Sequence, residues 1–592
     1  MKNIKSLIIA ALLGVSFTSC NDFLTLEPLN DIVLENFWTD KSDVESVLMG
    51  AYSALESEDC LSRILIWGEL RSDNMVEGQN TGEDIRQILR ENILITNQYC
   101  KYNAFYDAIN RANTVLYYAP LVAEKDPNYM IDQVMAHKAE AIAIRCLCYW
   151  YLIRTFHDVP YVTQPSIDDE GGYEKFYVPQ SSFDVILDSL ISDLEQVKVY
   201  ANNKYSTEDA NVCRMTKSSI NAMLADMYLW RGRSDDWQKC IDVCEEVTKE
   251  KKKDYNKLLE KQGTRCKIYL FNEKYPLISD APSEDNIGNA YTEIFGNGYS
   301  FESLFEFPYD NDVKNEFLFG NQQQRKEPFY QSSQSESNDS PGQVKAYDNI
   351  GSSYGTKNDV FIQKSDARYY EYLVKRKSTY AISKYAYGTV RLSFDSGSLT
   401  PYSSLSVRSQ SYCNWVIYRY SEVLLFEAEA YIQKAKALNP SGADSLAVIG
   451  VMQDYKDKAF ELIDAVNQRG VLADNNKSQA DKLKDVVSYT NIMPINELEE
   501  ILFQERRREF IFEGKRWYDL VRVAHREGNQ QNLISSIQKK HDTATFSAVQ
   551  IKLKNPYAMY WPLYRDEVRN SKGVLVQNPA YKDDENVEQA SH

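Results

Sequence analysis

Histidine is scarce in this chain, with five copies in 592 residues. Scattered so widely, they form no His-containing triad, and no Cys/His cluster has the close spacing of a zinc site. No nucleophile elbow and no phosphate-binding loop is present either. A concentrated basic face is also missing. The formal net charge is −18, and the arginines are scattered or interleaved with glutamate, which excludes the phosphate neutralisation that nucleic-acid binding requires. No strict 34-residue repeat and no long low-complexity tract is visible. The apolar run at the amino terminus is too short for a membrane-spanning helix, which needs ~20 residues, and no stretch of that length follows it.

What is present is the composition of a folded protein, 43% apolar and 26% charged. The length suggests three or four domain-sized units. Tyrosine stands out, with 42 copies against 8 Trp and 23 Phe. Its flat apolar face and polar tip suit wet binding surfaces as well as cores.

Lys2 and Lys5 precede the apolar run "SLIIAALLGVSF", followed by "TSC" and Cys20. A charged start, a short apolar stretch and small residues before a cleavage point make a secretory signal over residues 1–19. Small residues directly before Cys resemble the bacterial lipobox, so Cys20 is the expected lipidation site and membrane anchor. Residues 20–36 then read as a tether. Without Cys20, nine of the ten cysteines remain, an odd number that cannot all pair with each other. Cys146, Cys148, Cys240 and Cys244 fall inside helix-like segments and read as buried thiols.

Residues 37–270 read as a helical region. The stretch "SDVESVLMGAYSAL" (42–55) opens with a capping box of Ser42 and Glu45 and continues with Val44, Val47, Leu48 and Ala51 at helical spacing. Residues 102–119 and 137–156 repeat the pattern, the second stopped by Pro160. "TKSSINAMLADMYLWRGR" has Thr216 as its N-cap, and a polar turn separates it from "WQKCIDVCEEVTKE". Helix, tight turn, second helix, with small residues inside, is a tetratricopeptide-like hairpin. Residues 138–157 with 183–199, and 421–436 with 457–469, form similar pairs. Such hairpins need stacked neighbours to cover their apolar faces. The fold class is therefore mainly α, with about four such hairpins as scaffold and an irregular, loop-rich half carrying short strands. That half, 271–592, contains a Gly/Ser-rich insert at about 271–415, where "ESLFEF" (302–307) alternates like a strand and Tyr and Phe stud the loops.

The densest charge lies in "ERRREFIFEGKRWYDLVRV" (505–523). Glu505 and Glu509 stand one helical turn apart, their Cβ atoms about 5–6 Å from each other, and glycosidases use paired carboxylates at comparable separations. Both project from one helix face among arginines, however, which favours the ionised form and unsuits them as a general acid. The better reading is an ion-pair network of Glu505, Arg506, Arg508, Glu509, Glu513 and Arg516 with Arg419 and Arg469 of neighbouring helices, because charges on an otherwise apolar face need partners.

Several segments together resemble the SusD-like (RagB/SusD) family of outer-membrane lipoproteins of Bacteroidetes. They are the Cys20 lipobox, "FWTDKSDVESVLMGAYSAL", "YDAINRAN", "AEAIAIRCLCYWYLIRTFHDVPYV", "WVIYRYSEVLLFEAEA", "ERRREFIFEGKRWYDLVR" and "YWPLYRDEVRNSKGVLVQNPAY". One departure is Ser421, where the family usually has Ala. The resemblance implies a glycan-binding protein rather than an enzyme, with no metal or cofactor. It also implies a surface-exposed, lipid-anchored position on the outer membrane and a SusC-like TonB-dependent transporter as partner. The alternative is a peptide-binding lipoprotein of a peptide-importing complex.

Sugar rings stack on aromatic faces and are fixed by a few well-placed polar groups. Two regions offer both. The first is "WGELRSDNMVEGQNTGED", with Trp67, Asp73, Asn74, Gln79 and Asn80; the second is 291–357, with Tyr299, Tyr309, Phe329, Tyr330, Tyr347 and Tyr354.

If Cys20 is the anchor, Cys20→Ala releases the protein from the membrane fraction. Fractionation of cells carrying the variant checks this, and retention in the membrane in the absence of the partner transporter contradicts it.

Overall fold

The computed structural model describes residues 37–166, 177–263, 270, 273–279, 290–319, 329–330, 342–356, 359–376, 379–394, 401–408, 412–438, 446–472 and 482–582. Cys20 and the expected signal and tether lie outside the described residues.

Helix α1 (Lys41–Leu55) starts two residues earlier than the sequence suggests. Its N-cap is Asp40, whose carboxylate accepts the Ser42 N–H, while Asp43 reaches back to the Asp40 N–H. Asp thus makes the capping box in place of Ser42 and Glu45, because its short carboxylate accepts backbone N–H groups equally well. Val44, Leu48, Ala51, Tyr52 and Leu55 form the buried stripe. Next come α2 (Asn103–Lys125) and α3 (Ile131–Phe156), the latter buried nearly all round. His157 in a left-handed conformation (φ 72°) ends α3, before the chain reaches Pro160. After α4 (Phe183–Val197), α5 (Lys217–Arg231) begins at Thr216, whose hydroxyl accepts the Ser219 N–H. The turn at Gly232 leads into α6 (Asp236–Gln262).

Consecutive helices pack as antiparallel neighbours: α1 on α2, α2 on α3, α3 on α4 and α5 on α6, with α4 also touching α5. The second half returns to this stack. Helix α7 (Tyr420–Ala437) packs on α6 and on α8 (Leu446–Gly470), and α9 (Ile495–Phe510) lies across both α7 and α8. Helix α10 (Arg516–Glu527) follows and ends at Gly528. The molecule is therefore mainly α-helical.

Between the helices lie short two-stranded pairs. Ser303–Phe307 pairs antiparallel with Trp415–Arg419, which runs straight into α7; Met75–Glu77 pairs with Val344–Ala346. The 303–307 strand is buried on both faces rather than alternating. It sits between helices with no solvated side.

The glutamates of α9 and the following turn are deeply placed charges. Glu505, Glu509 and Glu513 are essentially inaccessible to solvent. Arg368 donates to Glu505 at 2.7 Å and to Glu509 at 2.9 Å, and its other edge grips Asp366. Arg419 bridges Glu509 and Glu513, the second at 2.8 Å. Arg469 pairs with Glu509 and with Glu302, Arg508 with Glu505, and Lys384 with Glu513 at 2.6 Å. Five cations (Arg368, Arg419, Arg469, Arg508, Lys384) thus face five carboxylates (Asp366, Glu302, Glu505, Glu509, Glu513). Burial alone pushes Glu509 up, but Arg469, Arg419 and Arg368 outweigh it and hold it well below the ordinary carboxylate range. Glu505 and Glu513 are lowered in the same way. Burial lowers Lys384 to about 8 against the pull of Glu513. Ser421 adds a hydroxyl that accepts from Arg419, a contact that Ala cannot make.

Two expected members sit elsewhere. Arg506 pairs with Asp519 and Glu422, and Arg516 pairs with Asp73. A helix turns about 100° per residue, so Arg506 projects to a different side from the glutamates, and Arg516 belongs to the next helix.

The two halves also meet backbone to backbone. A Cβ on Gly68 would lie 1.7 Å from the Gly514 carbonyl oxygen, so only glycine fits there. Beside it, Glu69 accepts the N–H groups of Phe512, Gly514 and Lys515. Burial raises Glu69 to about 7 despite those hydrogen bonds.

Glu509→Gln leaves three guanidiniums short of a counter-charge and should cost about 3–5 kcal/mol at pH 7. Comparison of denaturation midpoints checks it; equal midpoints contradict the account. A lowered folded pKa stabilises fully above the unfolded value of about 4.5 and is lost as pH falls through the folded value. The gap between the two proteins should therefore narrow on acidification below pH 4.5.

Candidate ligand-binding site

Helix geometry sorts the three consecutive arginines of α9. Arg506 and Arg508 turn inward to their carboxylates. Arg507 shares the other face with Glu500, Phe503 and Gln504, the i, i+3, i+4, i+7 stripe. That stripe forms one wall of a cleft of about 1010 Å³. The outer side of α10, the helix Gln531–Gln538 and residues in 347–353 and 359–362 supply most of the rest.

At the floor, Asp73 is shared by two guanidiniums. Arg516 donates to it from Nε at 2.9 Å and from Nη2 at 3.3 Å, and Arg507 Nη1 stands 3.0 Å away. Arg507 also donates to the Asn74 side chain at 2.8 Å and to the Asp73 carbonyl at 3.0 Å. Of the five N–H groups of a guanidinium, these contacts use three. Burial pushes Asp73 up, but Arg507 and Arg516 prevail and hold it at about 2. Burial, aided by the like charge of Arg516, lowers Arg507 to about 10 despite the pull of Asp73.

The lip is tied down as well. Tyr347 is half-buried, donates from its hydroxyl to the Lys539 carbonyl at 2.5 Å, and hangs its backbone N–H on the Asn74 carbonyl. Asn349 donates to the Tyr347 hydroxyl at 3.0 Å, and Ser353 to Asp359 at 2.6 Å. Asn532, Ser535, Ser536 and Lys539 face them from the far side.

Of the eleven residues singled out from sequence, the structure brings Asp73 and Tyr347 to this cleft. Five are buried with no face for a ligand. Trp67 stacks on Phe105 at 5.1 Å and donates to the Tyr99 carbonyl. Tyr309 donates to the Glu56 carbonyl, and Tyr330 to the Phe512 carbonyl. Phe329 packs against Phe317 at 4.4 Å, and Asn74 donates to Glu69 while accepting from Arg507. Each ring or amide fills space in the core, and in all but Phe329, which has no polar tip, a nearby backbone or side-chain partner satisfies the polar atom. Gln79 and Asn80 are exposed on the turn after Met75–Glu77, outside the cleft lining. Tyr299, 44% exposed with φ 53°, stands by Glu306 and Asn414, also away from it. Tyr354 stacks on Tyr369 at 4.3 Å, one residue beyond the Ser353 wall. Sequence reasoning missed Asn349, Gln504, Arg507, Ser535 and Lys539. The α9 stripe through Arg507 was the available signal.

The described cysteines are free thiols, seven of them buried and Cys213 half-buried. Among the described residues, no group of three or more His, Cys, Asp or Glu is placed to hold a metal ion.

Two family models match the chain. One, described as the SusD family, matches residues 301–581; the other, described as starch-binding and associating with the outer membrane, matches residues 22–229. SusD-like protein P38 of Formosa agariphila is 24% identical over 547 residues, covering 88% of this chain and 92% of the relative. SusD-like protein P2 of the same organism is 22% identical over 546 residues, with 88% and 91% covered. Among solved structures, a SusD homolog from Bacteroides thetaiotaomicron superposes with a TM-score of 0.62 at 17% identity, over 92% of this chain and 98% of that one. Surface glycan-binding protein A of the same species, solved with laminarihexaose, gives 0.58 at 16% identity over 91% and 100%. At such identities the superpositions speak to fold. Together with the family models over both halves and relatives aligned along most of their length, they lead to one conclusion: the chain belongs to the SusD-like (RagB/SusD) family.

Proposed function

We propose that this protein is a cell-surface lipoprotein, anchored through Cys20, that captures an oligosaccharide or polysaccharide and passes it to a partner TonB-dependent outer-membrane transporter. In this reading residues 1–19 are the signal and 20–36 the tether. Residues 37–270 form the helical region, and 271–592 complete the scaffold and bear the ligand.

The observation that carries the reading is the cleft over Asp73. Its floor is a charge-paired set of guanidinium donors, its walls offer amides and hydroxyls, and Tyr347 and Phe503 supply the only aromatic surface in its lining. Such a surface makes directional hydrogen bonds to a hydroxyl-rich chain, while apolar side chains such as Ile350, Val360, Ile501 and Leu520 offer contact to the C–H faces of its rings. Membership of a family of glycan-binding proteins supports the same occupant.

The geometry supports binding without cleavage. A glycosidic general acid must stay protonated near neutral pH. Asp73 is ionised to about pH 2. Glu505 and Glu509 are buried in the ion network and do not line this cleft.

The purified protein should bind a neutral glycan on an array and release no shorter sugars on incubation. Appearance of shorter sugars would sink the non-enzymatic reading, and binding to peptides but to no glycan would favour a peptide importer. Asn349→Ala and Lys539→Ala remove single donors at the lip without touching the ion network. Each should weaken binding by about 0.5–1.5 kcal/mol, or roughly 2- to 12-fold in Kd by calorimetry.

A further inference from the structure

A second pocket, of about 450 Å³, shares no lining residue with the cleft. It opens between α2, the segment around Pro160–Val162 and the helix Arg565–Asn570 with the turn behind it. Its size lies within the range of small-ligand sites, about 300–1,000 Å³. Tyr102, Tyr106, Ile109, Asn110 and Asn113 recur at helical spacing and form one wall; Val574 and Leu575 face them.

Some polar groups here are committed to the fold. Tyr106 donates to the Pro160 carbonyl at 2.7 Å. Asn113 donates to the Val162 and Gln164 carbonyls and accepts from Arg145. Others are not. Among the described residues, the Glu567 carboxylate and the Asn570 amide make no side-chain hydrogen bond, and Asn110 uses only its oxygen, accepting the Ser166 N–H at 2.8 Å. Glu567 stands close to the two tyrosines. After burial itself, its charge is the next cause that pushes the Tyr102 phenol up, and it adds to the rise at Tyr106. The rings of Tyr102 and Tyr106 have centroids 5.3 Å apart and planes tilted by 48°, giving a bent aromatic surface beside an acceptor and two amides.

We propose that this pocket is a second sugar-binding site, taking a single neutral hexose unit. A pyranose lays its C–H face on an aromatic ring, its adjacent hydroxyls donate to a carboxylate, and its ring and hydroxyl oxygens accept from amides. Glu567 selects against uronic acids and sulfated sugars by like-charge repulsion. The choice of a sugar as occupant rests on the glycan-binding reading above; the pocket and its uncommitted groups do not.

Hydrogen exchange on the purified full chain separates the two sites. The probes are glucose, galactose and mannose and their linear hexasaccharides. The expected result is slowed exchange in 102–113 and 565–575 with at least one probe. In the Glu567→Gln, Asn570→Ala double variant, the concentration needed should rise about tenfold or more, since hydrogen bonds to a charged group are worth about 1.5–3 kcal/mol. Both substitutions lie on accessible side chains outside the core. No slowing in those segments with any probe, or equal slowing in the double variant, overturns the proposal. Segments 347–353 and 531–540 report the cleft separately. Protection there alone retires the second site only, and protection of 102–113 and 565–575 alone retires the cleft as the sugar site.

Discussion

A carboxylate removed from water must be neutralised in place, and the rest of this molecule is organised around three that are. Isolated, Glu505, Glu509 and Glu513 would each cost several kcal/mol. Here each is met by cations from distant parts of the chain: Arg368 and Lys384 from the loop-rich insert, Arg419 from the entry to α7, and Arg469 from the end of α8. None of those segments can drift from α9 without stranding a charge. Such an array adds less net stability than a well-packed apolar core of the same volume. What it fixes is register, because guanidinium forks accept few geometries.

The same requirement explains how a helix with three adjacent arginines can be both core and surface. Arg506 and Arg508 are spent on inward carboxylates, and Arg507, rotated away from both, meets Asp73 from the other half of the chain. Asp73 also receives Arg516. The cleft floor is therefore an outward extension of the framework rather than a separate device. Close packing of Gly68 against Gly514 and the three N–H groups gathered by Glu69 hold that floor at a fixed height.

The helical scaffold was readable from periodicity. The Thr216 cap, the hairpin of 217–231 with 236–262, and the pairing of Arg419 and Arg469 with the α9 glutamates follow from residue spacing and from the cost of bare buried charge. Arg368 and Lys384 were not readable, since they come from irregular segments whose fold has no period to betray which residues face inward. The aromatics misled for a related reason. Tyr309 and Tyr330 sit in loop-like sequence, yet each buries its ring and hangs its hydroxyl on a backbone carbonyl, which sequence alone does not distinguish from a ring offered to a ligand. The cleft was only half visible, because its floor needs Asp73 and Arg507, 434 positions apart, to be neighbours.

A floor built from arginines already gripped by a carboxylate and a backbone carbonyl has few rotamers left to lose. Whatever settles on it freezes little that was free, and whatever leaves finds nothing to spring back. Such a surface keeps no memory of its last occupant, so successive encounters meet the same shape and need no recovery interval between them.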